Sequence, residues 1–278
     1  MHVYYREYNL SPLRPANRGS PKGVKTGVHL KVKKRFTEHF ADYFAHENLG
    51  DMPVELFLEK FKYQDHEYEK KIFHFLLDEE RIRSRKIKPF KNHQSWQGKE
   101  AINSPVIKYK LQDYKDFSFM AALEKKVRVR LDANGLFNKD EIQTFIKQIP
   151  KDLLSFIDYL EDPMADLDWK DLSLPLARDF IKGDPYDFLI HKPNSRFLGE
   201  TDKKVIFSSY MGSDLGLWHA YCELLEKGNL KEAHGIITPG LYQEQNFFFD
   251  TGHVPAAESI KILYDELSTP GWKLLCSI

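Results

Sequence analysis

Val127-Arg128-Val129-Arg130-Leu131-Asp132-Ala133-Asn134-Gly135, running on through Asn138 to Ile149, is the stretch that decides the fold class. Its first part alternates polar and apolar residues, with Arg128, Arg130 and Asp132 on one side, as a half-buried strand does. Asp132 falls at the end of that strand, just before a turn. The second part predicts a helix over 139–149. Asn138 is placed to cap it, Glu141 stands three residues on, and Ile142, Phe145, Ile146 and Ile149 form one stripe. A strand passing directly into an amphipathic helix is one β/α unit.

The unit recurs on both sides. Strands are expected at 105–111, 156–161, 174–179, 187–192, 204–209 and 234–238. A second helix begins at Ser213-Asp214, carries Leu217, Trp218, Cys222 and Leu225, and stops before Gly228. Repeated β/α units predict a parallel sheet. Their number, and charged residues recurring at the strand C-terminal ends, favour a closed TIM-like barrel over 96–245. The connections 163–174 and 179–187 are short, so some barrel helices are expected to be shortened or missing. Residues 1–95 read differently, with a strand-like start, a turn-rich loop from Arg14 to Gly23, and helical stretches near 53–62 and 66–79. Residues 246–278 hold one more helix, near 256–267, and are expected to close the barrel or return to the first region.

Composition narrows the function classes. Lys+Arg and Asp+Glu both number 41 of 278 residues, so no net field draws the chain to nucleic acid or to an acidic membrane. No apolar run approaches the length of a membrane span. Cys222 and Cys276 form no C-x-x-C pair, which argues against a structural zinc site or a disulfide framework. The start of the chain lacks the apolar core of a signal peptide, and the expected compartment is the cytoplasm.

Charged residues mark the strand ends. Ser104-Pro105-Val106-Ile107-Lys108-Tyr109-Lys110-Leu111 puts Lys108 and Lys110 on one face, and Ile107, Tyr109 and Leu111 on the other. Lys31-Val32-Lys33 and Lys86-Ile87-Lys88 show the same spacing, so the pair alone says little. Glu161 closes the next strand against Pro163, Asp179 ends Leu174-Pro175-Leu176-Ala177-Arg178, and Lys192 ends Phe188-Leu189-Ile190-His191 against Pro193. The successive strand ends therefore read Lys110, Asp132, Glu161, Asp179, Lys192. Three converging carboxylates repel one another unless a divalent cation joins them, and an all-oxygen set suits Mg2+, with Mn2+ as the alternative. A lysine among Arg128, Arg130 and other lysines is pushed toward the pKa of a general base.

That order resembles the enolase superfamily, muconate-lactonizing subgroup, and within it the o-succinylbenzoate synthase family. Lys108-x-Lys110, Arg130-Leu131-Asp132-Ala133-Asn134, Glu161-x-Pro163, Asp179 and Lys192-Pro193 carry the resemblance. His46-Glu47-Asn48-Leu49-Gly50-Asp51-Met52-Pro53, Ser208 through Leu217, and His234-Gly235-Ile236 extend it along the chain. It implies an α+β capping domain over a modified (β/α)7β barrel. It implies Asp132, Glu161 and Asp179 as magnesium ligands, Lys110 as the base, Lys108 as its orienting neighbour and Lys192 on the opposite substrate face. Arg130, Asn134, Ser208, Ser209 and Arg18 are the expected contacts to a small carboxylate substrate. The helix start near Ser213 is a candidate site for a substrate carboxylate. The reaction implied is proton abstraction beside a carboxylate followed by loss of water. N-succinylamino acid racemisation and a non-catalytic binding barrel remain alternatives. Dipeptide epimerisation lacks its Asp-x-Asp after the strand near 234–238. Phe180 stands where the family usually has glutamate after the third carboxylate, which leaves Asp184 and Asp187 as alternatives to Asp179.

Overall fold

The computed structural model describes the chain outside residues 14–22, 35, 48–50, 66, 166–168, 170–171, 181–184, 239–240 and 244–256. Its first elements are β1 (His2–Leu10), β2 (Lys25–Lys34), β3 (Thr37–Phe44), α1 (Val54–Lys60) and α2 (Glu67–Arg83). Then follow β4 (Lys91–Asn92), β5 (Gln94–Trp96), β6 (Val106–Lys110), α3 (Met120–Glu124), β7 (Arg128–Asp132), α4 (Lys139–Gln148) and β8 (Ile157–Glu161). The last are β9 (Leu176–Arg178), β10 (Phe188–His191), β11 (Lys204–Phe207), α5 (Asp214–Lys227), β12 (Ala233–His234), α6 (Ala257–Leu267) and β13 (Lys273–Ser277). Strands β6 to β11 fall within the expected ranges, most of them shorter, while β12 overlaps the expected 234–238 only at His234.

Among the described residues two larger sheets and one two-stranded pair organise the molecule. The first is antiparallel, in the order β13-β1-β2-β3, so the end of the chain returns to the sheet where it began. Alternation along β2 buries Val28, Leu30 and Val32, which pair with Tyr43, Ala41 and His39 of β3. Strand β3 is buried on both faces: His39 bonds the Leu76 carbonyl of α2, while Phe40 meets the Tyr264 ring of α6 and Asp42 reaches the start of α5. Helix α2 turns Ile72, Phe75, Leu76 and Ile82 inward at helical spacing.

The second sheet is parallel, in the order β11-β10-β9-β8-β7-β6-β5, each strand beside its predecessor. Beyond β11 the pairing continues. Ser208 bridges Gly235, β12 pairs with β4, and only His93 separates β4 from β5. Period-two alternation splits the side chains into two sets. Tyr159, Ala177, Phe188, Ile190 and Ile206 form one cluster, on the concave side. Ile107, Tyr109, Leu111, Val129, Leu131 and Leu160 form another, covered by α3 and α4. Helix α4 starts as its sequence predicts: Asn138 accepts from the Asp140 and Glu141 amides at 3.1 and 2.9 Å, and Glu141 accepts from the Asn138 amide at 2.9 Å. Its buried Ile142, Phe145 and Ile146 are each worth roughly 1.5–3 kcal/mol relative to exposure. Among the described residues of 163–174 and 179–187 no helix forms. No described helix is long and apolar enough to cross a membrane.

Candidate active site

Strand register builds the site in layers. Lys108 pairs with Arg130 and Arg130 with Tyr159; one layer up, Lys110 pairs with Asp132, Asp132 with Glu161, and Glu161 with Ala177. Asp179 follows the end of β9 and Lys192 follows the end of β10. Ser208 lies beside Lys192, its amide donating to the His191 carbonyl at 2.9 Å. The polar side chains thus gather where parallel strands expose their C-terminal ends.

Lys108 sits between two carboxylates. Its Nζ lies 2.7 Å from both Glu161 oxygens and 3.0 Å from Asp132 Oδ2. Asn134, held at φ 48° in the turn after β7, donates to Asp132 Oδ1 at 2.6 Å. Lys192 donates to Asp179 Oδ2, and Arg196 reaches the Asp179 carbonyl at 2.9 Å and Oδ1 at 3.5 Å. Glu161, Asp162 and Asp179 form a buried acidic triad in which one oxygen from each lies within 4.8 Å of the others, a group that could hold a metal ion. All its donors are oxygen, as a hard cation such as Mg2+ requires.

Burial and mutual repulsion set the protonation states. Burial pushes Glu161 up to about 8, with Asp132, Asp179 and Asp162 adding to it against the pull of Lys108. Burial also raises Asp162, to about 7. Asp132 is held below its usual range, because Lys108 and Lys110 outweigh the effect of its burial. Burial lowers Lys110, and Lys108 and Lys192 lower it further, while Asp132 opposes them. Perturbed carboxylates and a perturbed lysine gathered at one set of strand ends mark a candidate functional site.

Other expected contacts fall elsewhere. Arg130 is fully buried one layer below, donating to Asp158 at 3.0 Å and to the Ala233 carbonyl at 2.7 Å, and lying over the Tyr159 ring. Its donors serve the interior, since a buried guanidinium must be paired. Ser209 is buried, and its Oγ takes the Met211 amide in the turn at 3.4 Å. Asp187 accepts the Leu176 amide at the opposite end of β9, far along the strand from Asp179. Arg18 and Asp184 lie outside the described residues. The helix start near Ser213 already faces a carboxylate from the chain itself. Asp42 of β3 packs on Gly212 and Gly216 of that turn, bonded by Tyr8 at 2.8 Å.

The antiparallel side of the molecule reaches the mouth through His46 and Asp51. Tyr210, in the turn after β11, donates to both Asp51 oxygens at 2.7 and 2.6 Å, and His46 Nε2 meets the Tyr210 carbonyl at 2.8 Å. Lys192 Nζ lies 5.5 Å from the Tyr210 ring centre. Burial brings His46 down to about 4, aided by Lys192, Lys25 and Lys110, so the imidazole is neutral. Asp162 and Arg196 are site residues that strand-end reasoning missed. The doubled acid Glu161-Asp162 was the available signal for the first; nothing local marks the second.

No family model matches the chain, and no curated protein matches it in sequence. Solved structures do. It is similar to o-succinylbenzoate synthase from Thermosynechococcus elongatus BP-1, solved with magnesium in the active site, at a TM-score of 0.69 and 14% identity over 96% of this chain and 100% of that one. It is similar to an enolase family member from Agrobacterium tumefaciens with homology to dipeptide epimerases (TM-score 0.67, 12% identity, 92% and 99% covered). An L-Ala-D/L-Glu epimerase gives a TM-score of 0.66 at 12% identity, with 91% and 98% covered. The chain shares the fold of enolase-superfamily enzymes. At such identities the likeness is one of fold: parallel strands curving into at least a half-barrel, with a separate antiparallel sheet.

Proposed function

We propose that this chain is a magnesium-dependent o-succinylbenzoate synthase, a hydro-lyase acting on 2-succinyl-6-hydroxy-2,4-cyclohexadiene-1-carboxylate in menaquinone biosynthesis. Its fold is then a modified (β/α)7β barrel under an α+β cap, and its place of work the cytoplasm. The observation that carries this reading is the placement of Lys110 and Lys192 on either side of a row of buried carboxylates at the strand ends.

Glu161, Asp179 and Asp132 would hold the cation, with Asp162 orienting Asp179 through that residue's amide at 3.1 Å. Bound magnesium would stabilise negative charge on the substrate carboxylate as its α-proton leaves. Lys110, with its lowered pKa, takes that proton from one face. The C–H electron pair forms the new double bond, the C–OH bond breaks, and Lys110 returns its proton to the departing hydroxide on the same face, so that water leaves. Lys192 faces the developing charge from the other face. Lys108 keeps two carboxylates neutralised and sits below Lys110. Asn134 steadies Asp132, and Ser208 lines the rim beside Lys192.

The test is ultraviolet absorbance during turnover of that substrate, with magnesium and then with a chelator. Chelator-sensitive dehydration is expected. Replacing Lys110 by Ala should cost about 100- to 10,000-fold in kcat without loss of the folded state, which circular dichroism checks. Two lysines on opposite faces also suit 1,1-proton transfer, so N-succinyl amino acids belong in the same assay; racemisation without dehydration would replace this reading.

A further inference from the structure

Behind Lys192 lies a buried ion network that the proposed reaction does not use. Lys71 of α2 is 1% exposed, and Glu223 of α5 is 5% exposed. Lys71 Nζ donates to Glu223 Oε2 at 2.5 Å, and His191 Nε2 lies 3.2 Å from Glu223 Oε1. Lys227 also donates to Glu223 Oε1, at 3.2 Å. Strand alternation accounts for the contact. In β10 Ile190 and Lys192 face the concave side, so His191 between them faces α5.

The segment after Lys192 is held by the same two helices. The Phe197 amide donates to Glu67 Oε1 at the first residue of α2, at 3.1 Å, and Lys71 Nζ lies 4.8 Å from the Phe197 ring centre. Asn194 Nδ2 donates to the Gly216 carbonyl of α5 at 3.1 Å. Arg196 from this segment holds Asp179. A helix of the antiparallel layer, a helix of the parallel layer and the strand end bearing Lys192 therefore meet at one carboxylate.

Leaving one member of such a group alone in the interior is costly, whereas the intact group adds little net stability. Glu223 is accordingly kept ionised, its pKa brought down to about 2 by His191 and Lys71 despite its burial.

We infer that Glu223, with Lys71 and His191, is a positioning group that sets Lys192 against Asp179 and makes the seating of α2 a condition for that setting. Lys71 and Glu223 touch no reacting atom. Their action runs through the backbone of His191 into the next residue.

The role of Lys192 in turnover rests on the proposed function; the placement of its amine does not. The experiment therefore has two arms on Lys71→Met and Glu223→Gln. In the first, substrate-free protein is labelled with trace acetic anhydride and the peptides carrying Lys192, Lys110 and exposed Lys99 are compared by mass spectrometry. Lys192 should label about fivefold faster than in the wild type while Lys110 and Lys99 hold their rates, because a loosened amine leaves Asp179. In the second, kcat should fall about tenfold with KM little changed, since sub-ångström misplacement acts on the chemical step. Unchanged labelling of Lys192 in a folded variant overturns the inference. So does failure of Glu223→Gln to fold, which would make the group structural alone. If Lys71→Met does not fold, Glu223→Gln decides. Wild-type protein without turnover would sink the proposed reaction and leave the labelling result standing.

Discussion

Lys108 bridges Asp132 and Glu161, two of the three proposed magnesium ligands, and this sets Asp132 apart from the nearby Asp162. Asp132 faces Lys108 and Asn134, whereas both oxygens of Asp162 are spent on backbone, taking the amides of Asp179 at 3.1 Å and Phe180 at 3.2 Å. A carboxylate that shapes a turn acts on the metal through another ligand. Asp132→Asn should therefore weaken Mg2+ binding by more than about 100-fold, and Asp162→Asn by about tenfold, as outer-shell changes do. Isothermal calorimetry separates the two. Equally large losses would make Asp162 a direct ligand alongside Asp132.

Helix α5 shows how an element can be legible in the sequence while what its first turn faces is not. Its apolar residues and its Ser213 cap are local signals, and Ser213 does cap it, accepting from the Gly216 amide at 3.5 Å. Yet its N-terminal turn faces Asp42, which comes from β3. Gly216 makes room for that carboxylate: a Cβ there would lie 2.3 Å from Asp42 Oδ2 and 3.2 Å from its Cγ. In an exposed helix, Gly→Ala gains about 1 kcal/mol. Here the oxygen belongs to a short, buried side chain anchored by Tyr8, so the clash should win. Gly216→Ala is expected to destabilise the protein by about 1–3 kcal/mol, read as a lower midpoint in urea. A raised midpoint would mean that Asp42 moves freely.

Across the whole molecule, metal binding and protonation are linked. In the metal-free protein burial and its acidic neighbours push Glu161 up to about 8 against the pull of Lys108, so a proton is expected on it below that pH. A cation must displace that proton. Magnesium affinity should therefore strengthen by up to about tenfold per pH unit as pH rises toward 8, and flatten above it. Calorimetry in buffers of different ionisation enthalpy would count the proton released. Affinity that stays level between about pH 6 and 8 would show that Glu161 is already ionised, with Lys108 dominating its neighbourhood.

By itself the sequence determined what depends on neighbours a few residues apart. Period-two alternation placed β6, β7 and β8, the Asn138–Glu141 pair placed the start of α4, and the order of charged strand ends pointed to one face of one sheet. Those patterns are local because a strand must turn alternate side chains to opposite faces and a helix must cap its own first turn. Tertiary structure decided which charges are spent and which remain for chemistry. Arg130 has the same period as Asp132, but only the interior one layer below shows its donors taken by Asp158 and Ala233. Asp42 at the α5 turn, Asp51 on Tyr210, and Lys71 on Glu223 join residues on opposite sides of the chain's fold. Such pairs leave no periodic trace. A charge costs nothing special on a segment taken alone, and becomes expensive, and therefore specifically paired, only when two layers close over it.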